Sequence, residues 1–380
     1  MNMTRLASMP TSLFTKILPT LATLTLLLTG VIGCSEQGKD EQVQPAQGTA
    51  QEKSQISKDQ IQETPKVKKQ ARETLVVYSA RSAGLVEPLF EKFEQQSGIE
   101  LKVRFDKSTQ NLAQRIASEG AQTEADVFFA QESGYLGALG RAGHLAMLSD
   151  EILGRVPATY KDTKGQWVGT SGRARVLVYS PTRVKASELP KSLSDLTHAR
   201  WKNRLGWAPS NGSFQAHVSA LRKIWGEAKT KKWLKSIKAL NPKVYPKNSP
   251  QVRAVSQGEI DIGWVNHYYL HKLKAANPEL KAANYSFSSK NDAGNLMMIS
   301  GAAITAHSKK QALASKLIEF LLSEEAQKYF ATKTYEYPTV TSIKPAAQVS
   351  EINAGVTAVD QEALSDVAGT IKLLRALKLQ

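Results

Sequence analysis

Two adjacent tyrosines, Tyr268 and Tyr269, stand inside GEIDIGWVNHYYLHKL. Ile260–Val265 reads as a buried strand, and a helix starts near Tyr268. Inside a strand, neighbouring side chains face opposite sides. At a strand-to-helix turn, both phenol oxygens can converge on one point. Open α/β sheets bind ligands beyond the carboxyl ends of their strands, which is where this pair falls. Two phenolates are hard oxygen donors, suited to a hard, highly charged cation such as ferric iron. A free phenol holds its proton up to about pH 10, so the metal must displace it, and affinity must fall in acid. The plainer alternative is a helix start with one Tyr packed and the other exposed.

A second loop, Pro209-Ser210-Asn211-Gly212-Ser213-Phe214, runs directly into a helix. The first N–H groups of a helix have no intrahelical partners and carry partial positive charge, so such an end suits an anion. The alternative is that Ser210 or Ser213 simply caps the helix. A third loop, Gln131-Glu132-Ser133-Gly134, follows the apolar strand ADVFFA and places Glu132 at the same kind of strand end. A competing metal site comes from His267 and His271, spaced to share one helical face. Zinc normally wants three or four such ligands, and His144, His198, His217 and His307 are scattered.

Catalytic patterns are absent: the chain has no GxSxG elbow, no HExxH and no GxxxxGK[ST] phosphate loop. The single Cys excludes an internal disulfide or a CxxC zinc or redox pair. The formal charge of +16 comes from 50 basic and 34 acidic residues in 380. Residues 1–34 contribute +2 and 35–73 nothing, so +14 sits on 74–380. A dispersed positive surface favours anionic ligands or a membrane, and no nucleic-acid motif accompanies it.

The elements that must position these loops alternate. Thr74–Tyr78, Glu100–Phe105 and Ala125–Ala130 read as strands, separated by helical spacing over 85–97 and 112–118. This β-α-β-α-β opening implies a mostly parallel sheet covered by helices. Ala174–Ser180 is a further strand, Phe214–Trp225 and Ala228–Ala239 are helices, and Lys310–Thr332 reads as one long helix. Some 307 residues is large for one core, which points to two α/β lobes.

The N-terminus reads as an address. Arg5 and Lys16 precede the apolar run 17–32, the pattern of a secretion signal. The run closes on Val31-Ile32-Gly33-Cys34, which resembles the lipobox of bacterial lipoproteins, where the Cys is acylated. The alternative is an ordinary signal peptide with a chance Cys. Residues 35–73 are rich in Gln, Lys, Glu and Ser, and read as a flexible tether from Cys34.

Together the segments VVYSARSAGLVEPLFEKFEQQSGI, ADVFFAQESG, SGRARVLVYSPTRV, RWKNRLGWAPSNGSF, VYPKNSPQVRAVSQGEIDIGWVNHYY and SEEAQKYFATKTYEYP resemble, in this order, the periplasmic ferric-iron-binding proteins of iron ABC transporters. The resemblance covers nearly all of 74–380. It implies a two-lobe, transferrin-like (type II) periplasmic-binding-protein fold with a hinge and an interlobe cleft. It implies ferric iron held by Tyr268 and Tyr269. It also implies a synergistic anion, carbonate or phosphate, at Asn211, Gly212 and Ser213 with Asn248 and Asn266. Where some members carry a His ligand this chain has Ser82, and where they carry a Glu it has Gln131. Glu132 is then a further candidate metal ligand, and Arg81 a candidate to bring the other lobe to the anion. The implied N-lobe is 74–173 plus 299–349, and the C-lobe 174–298 plus 350–380. The expected protein is an exported, lipid-anchored monomer at the periplasm or cell surface. It would hand iron to an ABC permease and have no enzymatic activity and no nucleic-acid partner. Its rivals are a receptor for a small oxyanion such as a phosphonate, and an exported hydrolase.

Overall fold

Thr74–Ser79 (β1), Glu100–Phe105 (β2) and Val127–Ala130 (β3) pair in parallel, β1 lying between the other two. The computed structural model that shows this describes residues 72–380 except 290, 351–363 and 365. The expected signal at 1–33, Cys34 and nearly all of the 34–73 tether fall outside the described residues, as does part of 350–380. Among the described residues, no helix is long and apolar enough to cross a membrane. Lys68–Gln380 is a compact unit of its own.

Helix α1, Ala83–Ser97, links β1 to β2 and buries Val86, Leu89, Phe90 and Phe93. It stops at Gly98, whose φ of 73° is a left-handed cap that glycine adopts without cost. Helix α2 (Thr109–Glu119) leads to β3, and α3 (Ser133–Arg141) follows it. After the short α4 (Asp150–Gly154) comes the long strand β4, Val168–Tyr179. The chain continues through β5 (Leu205–Trp207), α5 (Gly212–Trp225), α6 (Glu227–Ala239), β6 (Lys243–Val244) and α7 (Asn248–Gln257). Next come β7 (Ile262–Asn266), α8 (Tyr268–Ala276), β8 (Ala283–Tyr285) and β9 (Met297–Ile304). The last elements are α9 (Gln311–Leu321), α10 (Glu324–Thr332), β10 (Tyr337–Pro338) and α11 (Val367–Ala376).

The strand order β2-β1-β3-β9-β4-β7-β5-β6 makes two lobes. Each lobe has a parallel triplet, β2-β1-β3 in one and β7-β5-β6 in the other. The two central strands are antiparallel to their neighbours, so the parallel reading holds only within the triplets. Strand β4 passes between lobes: Val168–Ala174 pairs with β9, and Arg175–Tyr179 with β7. Both sheet faces are covered. In the first lobe Val77 and Phe129 enter one apolar cluster, and Tyr78 and Phe128 another. In the second, Leu177 and Trp264 enter one cluster, and Val176 and Val265 another. Such double burial is what turns parallel strands into near-continuous apolar runs.

The single helix expected over Lys310–Thr332 is two. Ser323 interrupts it, accepting a hydrogen bond from Ala326 N and placing Glu324 and Glu325 in the first turn of α10. A serine cap with acids behind it starts a helix better than it continues one.

Candidate functional site

Strand β7 is buried along its whole length and ends at Asn266. His267 is already helical in backbone, with φ −55° and ψ −40°, so the turn into α8 is immediate. The tyrosine rings therefore leave the same turn side by side. They stack with centroids 4.3 Å apart and planes 28° from parallel. Tyr268 is only 4% exposed, and Tyr269 is half-buried. Burial raises the Tyr268 phenol well above its ordinary range. Tyr269 adds to this, and Arg173 opposes it. Tyr268 is thus a neutral phenol until a strong cation expels its proton.

Beside the pair lies one connected polar network. Asn211 Oδ1 accepts from Ser213 N at 3.2 Å, from Ser213 Oγ at 2.6 Å and from Asn248 Nδ2 at 3.2 Å. Asn248 Nδ2 also donates to Ser213 Oγ at 3.2 Å. Arg175 Nη1 donates to Ser213 Oγ at 3.2 Å, to Asn266 Oδ1 at 2.9 Å and to Asn248 Oδ1 at 3.4 Å. Its Nη2 donates to Trp264 O at 2.9 Å, and its carbon lies 5.2 Å from the Trp264 ring centre. Burial pulls the Arg175 guanidinium down to about 9, and the two tyrosines pull it back up. Gly212 completes the loop: a Cβ built there meets nothing within 4 Å. The anion residues named from sequence, Asn211, Gly212, Ser213, Asn248 and Asn266, are therefore neighbours in space. Three of them, Ser213, Asn248 and Asn266, hold the guanidinium of Arg175, a buried cation that the sequence analysis did not name.

Arg81 is placed otherwise than expected. It is 1% exposed, and its Nη2 donates to both carboxylate oxygens of Glu336 at 2.8 Å. Its Nη1 donates to Gln131 Oε1 at 2.7 Å and Ser300 Oγ at 3.0 Å. The fork assigned from sequence to an anion is committed to a buried carboxylate. Ser171 Oγ donates to the same Glu336 at 2.5 Å.

Glu132 Oε2 accepts from Thr109 Oγ1 at 2.5 Å, and its Oε1 lies 3.9 Å from Arg173 Nη1. Arg173 is fully buried, with Nη2 donating to Gln131 O and both Nε and Nη1 lacking a hydrogen-bond partner. Glu132 and Gly212, from different lobes, line one cavity of about 260 Å³ with Thr109, Tyr135, Gln215 and Val367. Ser82 sits at the cap position of α1 without a side-chain cap bond.

The histidine alternative does not hold. His267 Nδ1 accepts from Ala174 N at 3.1 Å, and Nε2 donates to Tyr335 O at 2.7 Å, so both ring nitrogens are occupied. Burial holds both His267 and His271 down at about 4. No cluster of three His, Cys, Asp or Glu suited to a metal occurs among the described residues.

Sequence reading missed Arg173, Arg175 and Glu336. The signal for the first two was present: SGRARVLVYS puts two arginines on one face of an otherwise apolar strand. Charges in that position need partners or a ligand.

Comparison with known proteins places the chain in a family. Residues 123–366 match the family described as bacterial extracellular solute-binding protein. The major ferric iron-binding protein of Neisseria meningitidis is 32% identical over 300 residues, covering 76% of this chain and 89% of that protein. Iron-bound HitA from Pseudomonas aeruginosa superposes with a TM-score of 0.74 at 32% identity, covering 80% of this chain and 99% of that one. The Trichodesmium IdiA (FutA) structure, in complex with iron and citrate, gives 0.69 at 29% identity, covering 80% and 99%.

Proposed function

This chain belongs to the bacterial extracellular solute-binding protein family, among its periplasmic ferric-iron-binding members, and from that premise we propose that it captures ferric iron together with a synergistic anion. Tyr268 and Tyr269 supply two anionic oxygens to the metal. Asn211, Gly212, Ser213, Asn248 and Asn266 hold the anion, and Arg175 supplies its countercharge. Glu132 reaches the cleft from the other lobe. The observation that carries the reading is the stacked tyrosine pair beside a buried arginine whose acceptors are all uncharged.

Charge balance supports an anion. Ferric iron brings three positive charges and two tyrosinates offset two. Arg175 adds one more in a buried setting, while the charge of Arg173 is answered by Glu132 at 3.9 Å. A multiply charged carbonate, phosphate or citrate restores balance, and the Trichodesmium neighbour holds iron with citrate. The lobes we assign are 74–173 plus 299–349 and 174–298 plus 350–380. Their support is the handover of β4 from β9 to β7 between Ala174 and Arg175. The protein is a periplasmic binding component and not an enzyme. Its signal directs export and an acylated Cys34 anchors it as a monomer at the membrane, where an ABC permease receives the iron.

Adding ferric iron to purified protein with carbonate, phosphate or citrate should produce the visible absorption of an iron–tyrosinate bond. It should appear at lower iron concentration with anion than without. A colourless complex would remove the tyrosines. Equal affinity with and without anion would remove synergy. The oxyanion reading is favoured by the Arg175–Ser213–Asn248 network alone, and calorimetric anion binding without iron would support it.

A further inference from the structure

Helices α6 and α11 both pack against α5, and their C-terminal ends meet. Trp233, Leu234 and Ile237 share a buried cluster with Leu373, Leu374 and Leu377. Lys238 Nζ of α6 donates to Leu377 O at 2.8 Å, joining the two helix ends. Their outward faces are almost wholly cationic. Residues 227–239 and 367–380 together hold eight basic residues and one acid. The acid, Glu227, is already paired with Arg222. Lys231, Lys232 and Lys235 of α6 are exposed, as are Lys372, Arg375 and Lys378 at α11, and none forms an ion pair among the described residues.

We infer that this two-helix face docks on an anionic phospholipid surface. A concentration of unanswered like charge raises the energy of the folded chain, so an external anion relieves it. The composition of the face decides which anion. Seven of the eight cations are Lys and one is Arg. Protein–protein interfaces are enriched in Arg and depleted in Lys, so an acidic protein partner fits poorly. Lysine is a compact, mobile point charge without a fixed fork, which suits a fluid layer of phosphate headgroups. Basic clusters of this size are drawn to anionic bilayers from within a screening length of about 8 Å. Docking through α6 and α11 would lay the tyrosine-bearing lobe against the membrane. The Cys34 anchor gives this a setting but is not needed for the attraction.

The test uses residues 68–380, a compact unit that lacks Cys34, so loss of anchoring and loss of docking are separable. Its co-sedimentation with phosphatidylglycerol-containing vesicles is compared with pure phosphatidylcholine vesicles, at low and high salt. Binding should require phosphatidylglycerol and fall with salt. The charge-reversed variant K232E/K235E/K372E/K378E should bind at least about tenfold more weakly. A control of equal net charge on other exposed surface, K102E/K309E/K316E/K333E, should stay within about twofold of the parent. The same four patch lysines changed to Gln should show a smaller loss in the same direction, which guards against misfolding of the Glu variant. Equal loss in patch and control variants would overturn the inference, as would salt-insensitive binding to phosphatidylcholine. Binding to poly-glutamate without binding to vesicles would overturn it in favour of an acidic protein.

Discussion

Two buried arginines, one in each lobe, differ in what answers their charge. Arg81, after β1, meets the carboxylate of Glu336 in a two-oxygen contact. Arg175, on β4, meets a hydroxyl, two side-chain amide oxygens and one backbone carbonyl. The first pair neutralises itself and needs nothing from outside. The second is held in place but not neutralised, and it sits beside two phenols that can become anions. The difference teaches how to read a buried arginine. A carboxylate partner makes it a fixture of the fold, whereas neutral partners leave its charge available to a ligand.

The strongest break of this comparison is at the tyrosines. Tyr268→Phe with Tyr269→Phe removes both anionic donors and keeps both rings. Iron affinity should fall beyond the roughly 10–100-fold that losing an outer-shell partner costs. The thermal midpoint without iron should move little, because among the described residues the hydrogen bond lost is the one between the two phenols themselves. Parental iron affinity in the double variant, measured by competition with a chelator, would mean that the C-lobe wall is not where iron binds.

Next in size is Glu336→Gln. It removes the answer to Arg81 and leaves a buried, unpaired guanidinium, which typically costs about 3–5 kcal/mol. Urea unfolding should register this as a lower midpoint, while iron affinity of the folded fraction stays near that of the parent. A loss below about 1 kcal/mol would show that Arg81 is not held as a fixture.

Arg175→Lys sharpens the other side. It keeps a charge but loses the planar fork that reaches Ser213, Asn248 and Asn266 together. Stability should fall less than in Glu336→Gln. Iron affinity in carbonate or phosphate should drop by about tenfold, the size of one charge-assisted contact. Titration in anion-free buffer supplies the check. The same drop there would assign Arg175 to positioning the tyrosines and not to the anion.

What was legible in the sequence follows the same division. The tyrosine pair and the Asn211–Ser213 turn lie within short segments whose strand-to-helix boundaries are set locally. Apolar runs and turn residues mark those boundaries. The Arg81–Glu336 pair joins residues 255 apart, so only the folded topology brings them together. That is why Arg81 looked available and Glu336 went unnoticed. Arg175 was a nearer miss, since its strand was recognised and its anomalous charge was in view. The split of α9 from α10 went unread because apolar spacing continues across Ser323, and the cap acts through one backbone hydrogen bond.

The smallest effect tests whether the charge on Arg175 is felt inside its own lobe. His217 of α5 is fully buried, 2.6 Å from Ala293 O through Nε2, with its ring 4.5 Å from that of Trp264. Burial first, then the positive charge of Arg175, hold its pKa down at about 3, against the pull of the Ala293 carbonyl. The folded value lies below the unfolded one. The native state therefore keeps His217 neutral where the unfolded chain has taken up a proton. Stability from this residue is fully present above pH 6.5 and is lost as pH falls towards 3. Between pH 7 and pH 5 the loss is at most about 2 kcal/mol. Urea midpoints of the parent and of His217→Gln at both pH values isolate it. The parent should weaken more steeply. Some slope should persist in the variant, because His267 and His271 are also held down at about 4. In an Arg175→Lys background the His217 contribution should shrink if a displaced charge acts less directly on the ring. An unchanged contribution would mean that burial alone keeps His217 neutral, and that the charge of Arg175 is directed outward, to the cleft.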